Sequence, residues 1–117
     1  MRLTIILPFP PASLSGHAKG HWRSKSTPTA KHREWARLAT LDAIRTQGMP
    51  TFPDGDIPLH VTFEPADRRG DKWNFPARAK ASIDGVADAL GVNDKRFVPT
   101  IVHAAPAKPG RVIVVIG

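Results

Sequence analysis

Four short runs of apolar and β-branched residues recur along the chain, and proline or glycine closes most of them. Runs of this length, with alternating or continuous apolar positions, predict β-strands. A Pro-Ala-Lys-Pro-Gly turn joins the last two runs, which predicts that they pair as a closing hairpin. The four predicted strands cover residues 2–7, 57–63, 97–104 and 111–116.

Large apolar side chains recur at every third position from Trp35 to Ile44, and alanines lie beside them. This spacing predicts a helix that begins at Thr29 or Lys31 and ends near Gln47, where glycine and proline follow. Because Trp35 has apolar companions at helical spacing, we expect its side chain to lie in the core. The residues before this helix, 12–30, show no apolar period and are predicted to form a long basic loop or arm.

A second helix is predicted over residues 75–90, with Gly91 as its stop. Five apolar positions fall within about 100° of one another around it and predict its core face. Small residues occupy a second face, which suits either close approach of another backbone or a plain exposed surface rich in alanine. The core face comprises Ala79, Ile83, Val86, Ala87 and Leu90, and the small-residue face comprises Ala77, Ala81, Gly85 and Ala89.

The element order is therefore β-α-β-α-β-β, which predicts an α+β fold with two helices packed on a small mixed sheet. A length of 117 residues suits one domain, residues 1–117. There is no cysteine, which excludes a disulfide framework, a thiolate zinc site and a cysteine nucleophile. No apolar run approaches the roughly 20 residues that span a bilayer. We expect a soluble cytoplasmic protein that makes no membrane contact.

The charge of the sequence indicates a class of binding partner. The net charge is +7, and residues 1–53 carry eight basic and only two acidic side chains. A basic lobe beside a charge-balanced one is typical of polyanion binding, although an ordinary basic protein has the same composition. In the predicted arm, Lys19, Arg23 and Lys25 surround Trp22, a combination that suits phosphate contact and base stacking. The alternative is a solvated loop in which Trp22 covers the core.

Carboxylates gather around the second predicted helix. Lys80, Asp84 and Asp88 form one stripe at spacings of four residues, while Asp71 precedes the helix and Asp94 follows it. Oxygen ligands without cysteine suit Mg²⁺. The simpler interpretation is that Lys80 and Asp84 form an exposed helical ion pair. A helix of this length spans about 24 Å, so groups at its two ends meet only if a loop folds back.

These residues resemble the RusA endonucleases, Holliday junction resolvases often carried by prophages. The resemblance covers nearly the whole chain, and the order and spacing of its parts are more specific than any one part. The opening strand with Leu7-Pro8-Phe9-Pro10-Pro11 is similar to the start of the family. The core motif is matched by Asp67-Arg68-Arg69-Gly70-Asp71 (the arginine-rich run and first catalytic aspartate), Asn74, Lys80, Asp84 four residues later, and Asn93-Asp94 in place of an acidic pair.

The resemblance implies an activity in DNA recombination and repair. Asp71 and Asp94 would hold Mg²⁺, or Mn²⁺, with Asp88 or Asp67 as a third ligand, and Lys80 would stabilise the charge that develops on the phosphate. Asp84 would support Lys80. A homodimer would place two such sites on a four-way DNA junction. The residues expected to contact DNA are Lys19, Arg23, Lys25, Arg68, Arg69, Lys72 and Asn74.

Two positions depart from the family pattern. Trp73 stands where the motif has a second aspartate, and Asn93 replaces the first residue of the acidic pair. Because tryptophan cannot bind Mg²⁺, the alternative is a dimer that binds DNA junctions and has lost cleavage. Trp73 would then either cap the second helix against the core or stack on DNA. A third reading is a basic protein that binds another partner through the small-residue face. His60 and His103 fall in predicted strands and are interpreted as structural.

Overall fold

The structure, a computed structural model, describes residues 2–11, 22–52, 54–68, 70 and 72–117, and for residues 22–27 it describes the backbone alone. The predicted α+β class and element order are confirmed. The elements are β1 (Leu3–Pro8), α1 (Trp22–Gln47), β2 (Ile57–Glu64), α2 (Phe75–Arg78), α3 (Lys80–Leu90), β3 (Phe97–His103) and β4 (Arg111–Ile116).

The four strands form one mixed sheet in the order β1-β4-β2-β3. β4 runs antiparallel to both β1 and β2, so that Val114 lies between Ile5 and Val61, whereas β3 runs parallel to β2. The predicted hairpin of the last two strands is therefore wrong. Alternate residues of β4 are fully buried, which suits the sheet centre, while β3 is exposed after Phe97, which suits an edge.

The core lies between one face of this sheet and the helices. Alternate positions of β1, β2 and β4 point into it, as the period of two along each strand requires. Phe75 and Val86 reach it from the helical side. The largest fully buried side chains of the sheet are Leu3, Ile5, Leu7, Ile57, Leu59, Phe63, Val112, Val114 and Ile116.

The first helix is longer than its periodicity predicts. α1 begins at Trp22, so the latter part of the predicted arm, residues 22–30, is helical, and residues 12–21 lie outside the described residues. This segment is polar and contains Pro28, and it therefore gives no apolar signal. Once later turns are formed and packed, extending a helix costs little.

The face of α1 that packs inward is the small one. Ala36, Thr40 and Ala43 are buried, whereas Trp35 remains 48% exposed, and Leu38 and Leu41 are exposed as well. The expectation that Trp35 lies in the core is therefore wrong. The reason is distance: where two helices approach closely, alanine fits between the backbones and a large side chain does not.

α3 shows the other side of this close approach. Of the predicted small-residue face, Ala81 and Gly85 are buried where α3 packs on α1, Ala89 is half-buried, and Ala77, on α2, is exposed. A Cβ on Gly85 would lie 2.0 Å from the Arg33 carbonyl oxygen and 2.9 Å from the Ala36 Cβ. The predicted core face of α3 is confirmed, although Ile83 is only partly buried.

The helix predicted over residues 75–90 has one interruption, at Ala79, whose N–H is shared between the carbonyls of Phe75 and Pro76. The helix ends at Gly91, where φ is +69°, a left-handed conformation that favours glycine. The N–H groups of Gly91 and Val92 bond back to the last turn. The chain thereby reverses and runs back beside α3.

Candidate active site

Lys80, at the start of α3, holds two carboxylates. Its Nζ donates to Asp84 Oδ1 at 2.5 Å, one turn further along the helix. It also donates to Asp94 Oδ2 at 2.5 Å, across fourteen residues of chain. The structure therefore brings together three of the residues that the sequence predicts for the site. We name this group the Lys80 cluster.

Asp94 reaches Lys80 because the chain folds back after α3. The reversal at Gly91 leads into a single 3₁₀ turn, Asp94–Arg96. Asn93 caps this turn, and its Oδ1 accepts a hydrogen bond from the Lys95 N–H at 2.9 Å. The asparagine that departs from the family pattern thus orients the carboxylate beside it, a role that an ionised aspartate would also fill.

The charges of the Lys80 cluster are tightly coupled. The hydrogen bonds that Lys80 donates to Asp84 and then to Asp94 raise the pKa of Lys80, so the amine stays protonated. The hydrogen bond from Lys80 lowers the pKa of Asp94. The side chains of Lys80, Asp84 and Asp94 are 60%, 25% and 37% exposed, so solvent and ligands reach them. One ammonium faces two carboxylates, which leaves a net charge of −1 at neutral pH.

An apolar groove of about 210 Å³ opens beside this cluster, between α3 and the edge strand β3. Ile83 lines its helical wall and Ile101 its strand wall, and Lys80 and Asp94 supply its charged groups. An apolar wall next to charged groups lowers the local dielectric and strengthens their electrostatic interactions.

Asp88, predicted as an alternative metal ligand, has a different role in the structure. Arg33 of α1 donates to both of its oxygens, from Nε at 2.7 Å and from Nη2 at 2.9 Å. This bidentate pair lowers the pKa of Asp88 and raises the pKa of Arg33. The charges of Asp84 and Asp94 also raise the pKa of Arg33, more weakly than Asp88 does.

The loop after β2 carries the other predicted site residues. Asp67, Arg68 and Lys72 are exposed and Asn74 is half-buried. Predicted Asp71 and Arg69 lie outside the described residues, as do Lys19 and the side chains of Arg23 and Lys25.

Trp73 lies in the 3₁₀ turn Lys72–Asn74, and its side chain is 91% exposed. Of the two roles weighed for Trp73, a cap packed against the core does not fit this exposure. The indole of Trp73 thus lies on an exposed turn next to Lys72.

The Lys80 cluster contains carboxylate oxygens, which are the ligands that a hard cation prefers. The oxygens of Asp84 and Asp94 meet at the Lys80 ammonium, so Mg²⁺ would bind beside the lysine, through Asp94, and keep several waters. Within the described parts of the chain, no group of three Asp, Glu or His side chains is arranged to hold a metal ion. Asp94 would supply one ligand of such a site, and Asp71 is the predicted ligand that would extend it.

A second cavity, of about 360 Å³, was not predicted from the sequence. It lies where the parallel strands β2 and β3 end, between the loop that follows each of them. Arg68, Lys72 and His103 line it together with Asp67. The interpretation of the last two strands as a hairpin concealed this site, because only a parallel β2–β3 pair brings the two loops together.

The comparisons with known proteins leave the function open. The chain matches no model of a known protein family. It is 35% identical over 96 residues to an uncharacterized protein of Xylella fastidiosa (strain Temecula1 / ATCC 700964). The match covers 81% of this chain and 62% of that protein, so the chain spans under two thirds of its relative's length. Among the helices that the structure describes, none is long and apolar enough to cross a membrane.

Proposed function

We propose that the protein is a Mg²⁺-dependent endonuclease of the RusA type that cuts branched DNA in the cytoplasm. The observation that carries the proposal is the convergence of Asp84 and Asp94 on Lys80 from positions separated along the chain. These are motif positions of the resemblance, and the fold gives them a common point. A plain helical ion pair would need only Asp84.

The cluster suggests a role for each side chain. Bound Mg²⁺ would activate water and neutralise charge on the phosphate. Asp94, with Asp71, would hold the ion. Lys80 would face the negative charge that develops on the phosphate oxygens, and its raised pKa keeps it cationic rather than basic. Asp84 would hold the lysine in place from the same helix.

The DNA surface would extend from the loop after β2 to the start of α1. Arg68 and Lys72 are exposed in that loop, and Trp73 projects from the adjoining turn. Cationic side chains of this kind contact phosphates irrespective of sequence, and an exposed indole stacks on an unpaired base.

A second candidate function is DNA-junction binding without cleavage. Trp73 occupies the position of the second motif aspartate, and its exposure favours a ring that contacts nucleic acid over one that supports the fold. Tight junction binding with no cutting would establish this alternative.

The proposed enzyme is a homodimer, and β3 is the surface we assign to the second copy. In the part of the chain that the structure describes, no strand pairs with the outer edge of β3, and its side chains carry no acidic or basic residue except His103. A two-fold axis through Thr100 would pair Val98 with Val102 of the other copy. Such an uncharged strand edge can pair with a further strand, although Pro99 has no backbone N–H and would interrupt the ladder of hydrogen bonds.

Cross-linking tests this register, because the chain has no cysteine. Directly opposed residues in antiparallel strands lie about 4.5–5.5 Å apart at Cα, within disulfide range. Thr100→Cys should therefore give a covalent dimer on oxidation. Thr4→Cys, exposed on the opposite edge strand, should stay monomeric. Equal cross-linking of both variants would refute the β3 interface.

Cleavage of a labelled four-way junction tests the proposed activity. We expect paired nicks with Mg²⁺ or Mn²⁺ and none with chelator. Lys80→Met should abolish them, and Lys95→Met, a neighbouring exposed lysine outside the cluster, should not. Metal-independent cutting, or equal loss in both variants, would contradict the proposal.

A further inference from the structure

The cavity at the ends of β2 and β3 has the position of a ligand site. Both strands run in the same direction and finish at this end of the sheet, at Glu64 and His103. Ligands of α/β folds commonly bind outside the carboxyl ends of parallel strands, where the following loops diverge. The cavity volume of about 360 Å³ accommodates a group the size of a phosphate with its sugar.

His103 is fixed at the wall of this cavity by the core beneath it. Its ring stacks on Phe63 with 5.7 Å between ring centroids and 22° between planes, and it lies 5.8 Å from Phe75. Its side chain is nevertheless exposed. The ring is thus held on its inner side by aromatic contacts and open to the cavity, which is more than a structural histidine requires.

The walls of the cavity are tied together by backbone hydrogen bonds. The Ala104 N–H donates to the Phe63 carbonyl at 2.9 Å, and the Ala107 N–H donates to the Pro65 carbonyl at 2.8 Å. These bonds join the loop after β3 to the end of β2. A site whose walls are held in this way loses little conformational entropy on binding.

The charge of the cavity selects the ligand. Among the described residues that line it, Arg68 and Lys72 face one carboxylate, that of Asp67, so cationic side chains are in excess there. Arginine and lysine with an imidazole are groups that bind phosphate oxygens. We propose that this cavity, through Arg68, Lys72 and His103, binds a phosphate group of a nucleic-acid strand. The phosphate site itself does not depend on the proposed function. That the phosphate belongs to a nucleic acid rests on it.

Imidazole NMR signals of His103 provide the direct test. Titration with inorganic phosphate, and separately with a short single-stranded oligonucleotide, should shift the His103 signals in the wild-type protein. His60 is the matched control, because it is an exposed histidine on the opposite face of the sheet. Shifts with both probes support the site, and a stronger response to the oligonucleotide identifies the strand backbone as its source. Shifts no larger than those of His60 with either probe would overturn it.

Binding strength provides a second readout. Arg68→Ala should weaken oligonucleotide binding about tenfold, the effect of one charge-assisted hydrogen bond. It should also reduce the slope of log K against log salt by about 0.7 for a single strand. Arg45→Ala, paired with Asp42 near the end of α1 and at the opposite end of the sheet, is the control that should change neither. An unchanged slope and affinity in Arg68→Ala would refute the site.

These measurements separate this inference from the nuclease proposal. His103 shifts together with a failure to cut junctions would retain the phosphate site and reject the endonuclease. Metal-dependent cutting together with silent His103 signals would do the reverse.

Discussion

Two groups of oppositely charged side chains lie one turn apart on α3, and they differ in how completely their charges are paired. At Asp88, one guanidinium meets one carboxylate, and both oxygens accept hydrogen bonds from Arg33. In the Lys80 cluster, one ammonium donates to two carboxylates, and each accepts through one oxygen. The first group is balanced in charge, and the second carries an excess negative charge.

The two groups therefore suit different roles. The Arg33–Asp88 pair, which we name the fastening pair, holds two helices together, whereas the Lys80 cluster has charge that a ligand can use. The Arg33–Asp88 pair connects α1 to α3, and its fork geometry is the one that holds two elements in a fixed orientation. The Lys80 cluster connects α3 only to the turn that follows it. Its excess carboxylate charge can attract a cation, and it lies at an apolar groove where such a cation would act strongly.

The largest expected effect is on activity, at Lys80. Replacing Lys80 with Met should lower the rate of junction cleavage by about a hundredfold or more, the effect of removing one group that stabilises transition-state charge. Arg33→Met should leave cleavage within a few-fold of the wild type, because Arg33 lies in the fastening pair. Single-turnover cleavage of a labelled junction measures both. Equal losses would mean that the two groups do not differ as argued.

The next largest effect is on stability, at the contact between the two helices. Gly85→Ala places a methyl group 2.0 Å from a backbone carbonyl that cannot move aside, so it should destabilise the fold by about 1–3 kcal/mol or more. Urea unfolding followed by circular dichroism measures this. A methyl group that met open space at this helical position would instead stabilise α3, because alanine has the higher helix propensity. If Gly85→Ala leaves the urea midpoint unchanged or raises it, the helices do not approach as described.

α1 and α3 also show how far the sequence predicts the fold. On α3, Val86 and Leu90 are both apolar and buried, so apolar spacing identifies the core face. On α1 the same reasoning selects Trp35, which is exposed, because burial there depends on how closely a second backbone approaches. Gly85 of α3 sets the distance between the two helices, and the apolar periodicity of α1 alone gives no information about that distance.

The contacts of the candidate site likewise divide into those that the sequence predicts and those that it does not. The four-residue spacing of Lys80 and Asp84 predicts their contact, since helical geometry is local. The approach of Asp94 depends on the chain reversal at Gly91, and the second cavity depends on β3 lying parallel to β2. Both are consequences of tertiary packing, which the residue pattern around each group does not specify.

A smaller effect should appear in the salt dependence of stability. Asp88→Asn removes the charge from the fastening pair, so the unfolding temperature should fall modestly, and the fall should shrink as salt rises because the pair is largely exposed. Asp84→Asn should lower the unfolding temperature less, since its pair joins two positions of one helix. Thermal scans between low and high salt compare the two variants. A larger, salt-dependent loss in Asp84→Asn would reverse the assigned roles.

The smallest effect concerns pH. The hydrogen bond from Lys80 holds the pKa of Asp94 below its ordinary value of 3.8, so the native state favours the ionised carboxylate. This contribution to stability is present above about pH 4 and is lost as the pH falls through the lowered pKa. Lys80→Met should therefore be less stable than the wild type at neutral pH, and the difference in urea midpoint should narrow at lower pH. Arg33→Met should show the same narrowing through Asp88, whose pKa is lowered by its own partner. A difference that is constant with pH in Lys80→Met would mean that the lysine supports the fold through packing of its stem, and that the Lys80 cluster is not held together by charge.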